Sequence, residues 1–92
     1  MKITYASSLS NDQLVAALGR LARGEREATV ALVVHLAEFD ARRLYRGAGF
    51  SSLFTYCVEV LHLSEDAACN RIESARVARR YPAVLDMLRR GE

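Results

Sequence analysis

Ninety-two residues, 51 % hydrophobic with one Pro and five Gly, exclude a disordered chain and suffice for one domain without disulfides or metals. Thirteen Lys and Arg stand against eleven Asp and Glu, a nearly even balance with a net charge of +2. Lys2 is the single Lys, and a surface of guanidinium groups suits planar, bidentate contact with phosphate; a GC-rich genome produces the same bias.

Met1 to Leu9 carries no periodicity and is expected to be a lead-in. Ser10-Asn11-Asp12-Gln13 has the spacing of a capping box, with Ser10 as N-cap and Gln13 at the third helical position. The first helix it opens is expected to bury Leu14, Ala17, Leu18 and Leu21 and to stop at Gly24, with Gly19 weakening it by about 1 kcal/mol. A second helix is expected over Glu25 to Arg43. Its apolar residues (Ala28, Val30, Leu32, Val33, Val34, Leu36, Ala37, Phe39) exceed one stripe, and Glu27, His35, Glu38 and Arg42 form a narrow polar strip. Such a helix is central to a fold or partly used in a dimer. Leu44 to Phe50 reads as a loop, with Gly47 and Gly49 free to take positive φ and with Tyr45 and Phe50 pinning it to the core.

Ser51-Ser52 caps a third helix carrying Leu53, Phe54, Cys57, Val58 and Leu61. A three-residue turn, His62-Leu63-Ser64, leads into a fourth helix whose apolar stripe is Ala68, Ile72, Ala75 and Ala78. Pro82 then opens a short last helix reaching Arg90. The expectation is a single all-α domain over 1–92 with five helices, the third and fourth forming a helix-turn-helix over 51–80.

Helices that meet at a tight turn, the second opened by Ser, have the outline of a DNA-binding helix-turn-helix. Leu61, Leu63, Ala68 and Ile72 supply its apolar positions, and His62 stands where a left-handed backbone is wanted. On the fourth helix Asn70 is the candidate base reader, because an amide addresses adenine bidentately, and Ser64 would face the groove beside it. Arg71, Arg76, Arg79 and Arg80 are candidates for phosphate contact, with Arg42 and Arg43 flanking the same duplex. Glu65, Asp66 and Glu73 oppose this picture, since carboxylates at a helix start stabilise the dipole and repel phosphate. Internal pairing of the four arginines with those carboxylates would weaken the case. Arg20, Arg23 and Arg26, interleaved with Glu25 and Glu27, look like a solvated salt-bridge surface.

No catalytic or metal constellation is expected. His35, His62, Cys57 and Cys69 have no zinc-ligand spacing, no Gly-rich phosphate loop follows a strand, and neither a cofactor nor a small-molecule ligand is implied. No secretory signal precedes the first helix, and the longest apolar run, around Val30 to Leu36, is too short to span a membrane and is broken by His35. Reduced thiols at Cys57 and Cys69 and a cytoplasmic location follow as expectations.

The blocks Arg26 to Thr29, His35 to Tyr45, Gly49 to Val58, Leu63 to Ala68, Arg71-Ile72 and Ala75 to Pro82 resemble the N-terminal helical region of bacterial HNH endonucleases. The resemblance spans about Leu9 to Gly91, with Tyr56-Cys57-Val58 and Leu63-Ser64-Glu65 its more specific parts. In that family the region precedes a linker and a metal-dependent nuclease domain, whose motif is not among these residues. The resemblance therefore implies the non-catalytic half of such a protein. The expected function is binding of double-stranded DNA, as a homodimer. The alternative is a helical protein-interaction module whose subunit contacts use the apolar excess of the second helix and the small-residue stripe of the fourth.

Overall fold

A single helix, α1 (Asn11–Arg42), makes up about a third of the chain in the computed structural model, which describes residues 6–91. Residues 1–5 of the expected lead-in lie outside the described residues; at 6–9 the chain makes a turn in which the Leu9 N–H donates to the Ala6 carbonyl at 3.2 Å. The capping box is present. Ser10 Oγ accepts from the Gln13 N–H at 3.2 Å, and Gln13 Oε1 accepts from the Ser10 N–H at 2.9 Å.

The expected break at Gly24 does not occur, so the two helices expected over 10–24 and 25–43 are one. A glycine ends a helix by turning left-handed, and only Gly49 and Gly91 take positive φ among the described glycines. Gly24 remains helical, followed by the good helix formers Glu25, Arg26, Glu27 and Ala28. Termination comes at Arg43 instead, at φ 53° and ψ 40°, with its N–H directed at the carbonyls of Phe39 and Asp40.

The segment expected as a loop contains a one-turn helix, α2 (Leu44–Gly47). Gly49, at φ 93°, reverses the chain so that the Phe50 N–H donates to the Tyr45 carbonyl at 2.9 Å. Tyr45 is buried and Phe50 packs edge-on to Tyr56, with ring centroids 5.5 Å apart, so both pin this segment to the core as their positions suggested. Ser52 caps α3 (Leu53–Glu59), accepting from the Thr55 N–H at 3.1 Å. α4 (Glu65–Arg80) follows, and Pro82, one residue earlier in the capping frame than expected, precedes α5 (Ala83–Arg89). The architecture is all-α, with five helices and no strand among the described residues. None of these helices is long and apolar enough to cross a membrane.

The core joins α1 to the other helices. Val33 and Leu36 of α1, Tyr45 of α2, Leu53 and Cys57 of α3 and the α4 stripe form one buried cluster. All four stripe residues, Ala68, Ile72, Ala75 and Ala78, are at most 7 % exposed. The first half of α1 departs from expectation. Leu14, Leu18 and Leu21 were expected in the core and are 40, 61 and 47 % exposed, and Ala17 is half-buried. The cause is the length of the fused helix. Thirty-two residues extend for about 48 Å, matching the 49 Å long dimension of the molecule. The other helices cover only its later part, so no residue of α1 before Val30 is buried. The radius of gyration, 16.4 Å, accordingly exceeds the roughly 12 Å of a compact chain this long.

Two predictions follow from this packing. A Cβ at Gly24 would meet nothing within 4 Å; Gly24→Ala is therefore expected to stabilise the protein by about 0.5–1 kcal/mol, read from the urea midpoint. Cys57 is wholly buried and burial pushes its thiol up, whereas Cys69 is exposed. The native protein should thus react rapidly with an aromatic disulfide reagent at Cys69 alone, and Cys57 should react only in denaturant.

Candidate nucleic-acid interface

The turn before α4 is built from backbone bonds. The Val60 and Leu61 N–H groups both donate to the Tyr56 carbonyl, at 2.9 and 3.3 Å, and the Leu63 N–H returns to the Cys57 carbonyl at 3.1 Å. His62 takes the left-handed conformation its position called for, at φ 58°. The connection is longer than the three residues expected, running from 60 to 64, because α3 ends at Glu59. Leu63 packs against the core and Leu61 does not; Leu61 is 39 % exposed and borders a shallow apolar hollow with Leu32, Phe39 and Tyr56.

Ser64 is the N-cap of α4, its Oγ accepting from the Ala67 N–H at 3.1 Å. Glu65 and Asp66 sit in the first turn, where carboxylates offset the positive end of the helix dipole. The buried stripe fixes which way the rest of the helix points. Asn70 is exposed on the outward face, with Asp66 one turn before it and Glu73 one turn after. The candidate base reader therefore stands between carboxylates.

The arginines do not form one row. Arg71 is half-buried and lies about 140° round the helix from Arg76, five residues on. Arg76, Arg79 and Arg80 converge at the C-terminal end around a concavity of about 460 Å³ whose fourth wall is Asp40 of α1. Arg76 Nε donates to Asp40 Oδ2 at 3.2 Å, and the Asp40 side chain is only 12 % exposed. Among the described residues this is the ion pair α4 makes. Its arginines do not pair with Glu65, Asp66 or Glu73, and Arg79 and Arg80 have no carboxylate partner among the described residues. Three guanidinium groups and one carboxylate leave this notch with a net positive charge of about two.

The flanking cluster is more dispersed. Arg42 Nε donates to Glu38 Oε2 at 2.7 Å in an exposed pair, of the kind worth little to stability. Two residues from Asp40, Arg42 points about 200° away from it, so it leaves the notch. Arg43 is exposed in the left-handed cap that ends α1, one helical turn beyond Asp40. Asp40 is the residue that sequence reasoning missed. Its partner is 36 positions away, and no local spacing signals such a pair.

On the other side of Arg76 and Arg80 lies an open, mainly apolar groove of about 470 Å³, floored by Leu53, Phe54, Ile72 and Val77, with Cys69 on its wall. Among the described residues no three His, Cys, Asp or Glu side chains converge as a metal centre would need.

His62 carries the strain of the turn. A left-handed backbone costs an L-residue roughly 1–2 kcal/mol, and glycine escapes this at about 0.5–1 kcal/mol of added chain entropy. His62→Gly should therefore raise stability by up to about 1 kcal/mol, measured by chemical denaturation. A fall would show that the imidazole itself contributes to the fold.

Compared with known proteins, the chain matches no family model, no curated protein and no solved structure.

Proposed function

We propose that this domain is a cytoplasmic, non-catalytic module that binds double-stranded DNA, with the C-terminal end of α4 as its principal contact. The observation that carries this reading is the notch of Arg76, Arg79 and Arg80, in which three guanidinium groups face one carboxylate. Phosphate contacts dominate the affinity of proteins for DNA, and arginines on a rigid helix supply them without reorganisation. Asp40 tethers Arg76 to α1 and so orders one of the three before any ligand arrives.

The outward face of α4 before Arg76 has the opposite character. Glu65, Asp66 and Glu73 repel phosphates, so the helix would approach DNA by its basic end, with Asn70 and Ser64 further from the duplex than in a helix driven N-terminus first into the major groove. Binding would then rest on the backbone and discriminate weakly between sequences. Arg43 would extend the contact, and Arg71 and Arg42, which point elsewhere, would add little. Were the chain the N-terminal half of an HNH endonuclease, the family its sequence resembles, such a contact would hold the nuclease on its substrate.

A salt titration on a short duplex tests the proposal. Affinity should fall steeply with salt, and the combined Arg79→Ala and Arg80→Ala change should lower the slope of log K against log salt by about 2, at roughly 0.9 per phosphate contact. Asn70→Ala should leave both slope and affinity nearly unchanged. No binding by the wild-type chain at low salt would end the reading.

A further inference from the structure

We propose that the exposed first half of α1 pairs antiparallel with the same segment of a second copy of this chain. This goes beyond the DNA-binding reading and stands independently of it. Leu14, Leu18 and Leu21 recur at steps of four and three, a single stripe completed by Ala17, with Val15 on its flank at 70 % exposure. Helices of three or four turns are marginal in water without tertiary packing, and Gly19 weakens this one further. A leucine stripe that stands 40, 61 and 47 % exposed along a rod is a surface made to be covered.

Glu25 decides the orientation. It lies four residues beyond Leu21, on the same stripe. In a parallel pair Glu25 would face Glu25 of the second copy, a like-charge contact on the seam. In an antiparallel pair with its two-fold axis between Ala17 and Leu18, Leu14 meets Leu21 of the second copy and Ala17 meets Leu18. Glu25 then meets Ser10 and Asn11, at the amide end of the opposing helix, where the dipole favours a carboxylate. The two helix dipoles also run in opposite senses. The end of α5 closes on α1 at a hollow lined by Ala22, Glu25, Arg26 and Thr29 on one side and Leu88 and Gly91 on the other, so Glu25 stands at its edge. The free stripe stops there, which limits the overlap to about four turns. A contact of that size falls at or below about 1,200 Å² in total, typical of reversible association, so the pair should dissociate in the micromolar range.

Sedimentation velocity without DNA, from low to high micromolar chain, tests the association, and a failed DNA titration would not bear on it. The wild type should shift from monomer to dimer with concentration. Leu18→Glu should remain monomeric while keeping its helical circular dichroism, because no core residue lies in this part of α1. A wild type that is monomeric throughout, or a Leu18→Glu chain that associates like the wild type, overturns the proposal. Disulfide trapping on a Cys69→Ser background reads the orientation. Leu14→Cys and Leu21→Cys chains should cross-link when mixed and not when alone, since antiparallel packing separates identical positions by more than a disulfide can span. Self-linking of Leu14→Cys would overturn the antiparallel arrangement.

Discussion

The contact between the small-residue face of α4 and the second half of α1 is the constraint on which the remainder of the molecule depends. Ala68, Ala75 and Ala78 bring the two helices close together, and Ile72 fills the space between them beside Val33 and Leu36. Apart from Ile72, the stripe carries no side chain longer than a methyl group. Once α4 is seated this way, every other position on it has a fixed direction. Asn70 and Glu73 point outward, Arg76 falls within reach of Asp40, and Arg71 is turned to the far flank. The apolar contact thus arranges the charges.

The two ends of α4 carry opposite charge. Glu65 and Asp66 lie at the positive end of the helix dipole and Arg79 and Arg80 at the negative end, the distribution that stabilises the helix, while Arg71 and Glu73 stand between them. A DNA-binding role does not conflict with that distribution, but it chooses the basic end. Arg76, Arg79 and Arg80 do two things at once in such a scheme: they complement the last-turn carbonyls, and they leave a cationic concavity open to a polyanion. Among the described residues Arg76 is the one of the three held by a counter-charge, so three guanidinium groups face a single carboxylate in the notch.

The molecule has two regions of different character. From about Val30 onward it is a packed body with a continuous core, a tight aromatic trio of Phe39, Tyr56 and Phe50, and a turn closed by backbone bonds. Before about Ala22 it is a rod whose leucines Leu14, Leu18 and Leu21 stand 40, 61 and 47 % exposed. The small-residue stripe that could have served subunit contact is consumed inside the protomer, and the leucines that could have completed the core stand outside it. A module that bound DNA through the body would have the rod free for association with another chain, some tens of ångströms from the notch.

The local features were legible in the chain because they depend on neighbours a few residues away. The capping box at Ser10, the caps at Ser52 and Ser64, the left-handed His62 and the stripe Ala68, Ile72, Ala75 and Ala78 are all properties of spacing and backbone stereochemistry, and the all-α class follows from them. Three matters lay beyond that range. Gly24 carries a stop signal that operates only if the chain has somewhere to turn, and the helix formers after it carry α1 through. The periodicity of Leu14, Leu18 and Leu21 shows that a face is apolar and is silent on whether anything covers it. The pairing of Arg76 with Asp40 spans 36 positions and exists only because the alanine stripe draws α4 against α1. Periodicity is set by geometry along the chain, whereas burial and charge pairing are set by which distant segments meet, and that was decided by packing alone.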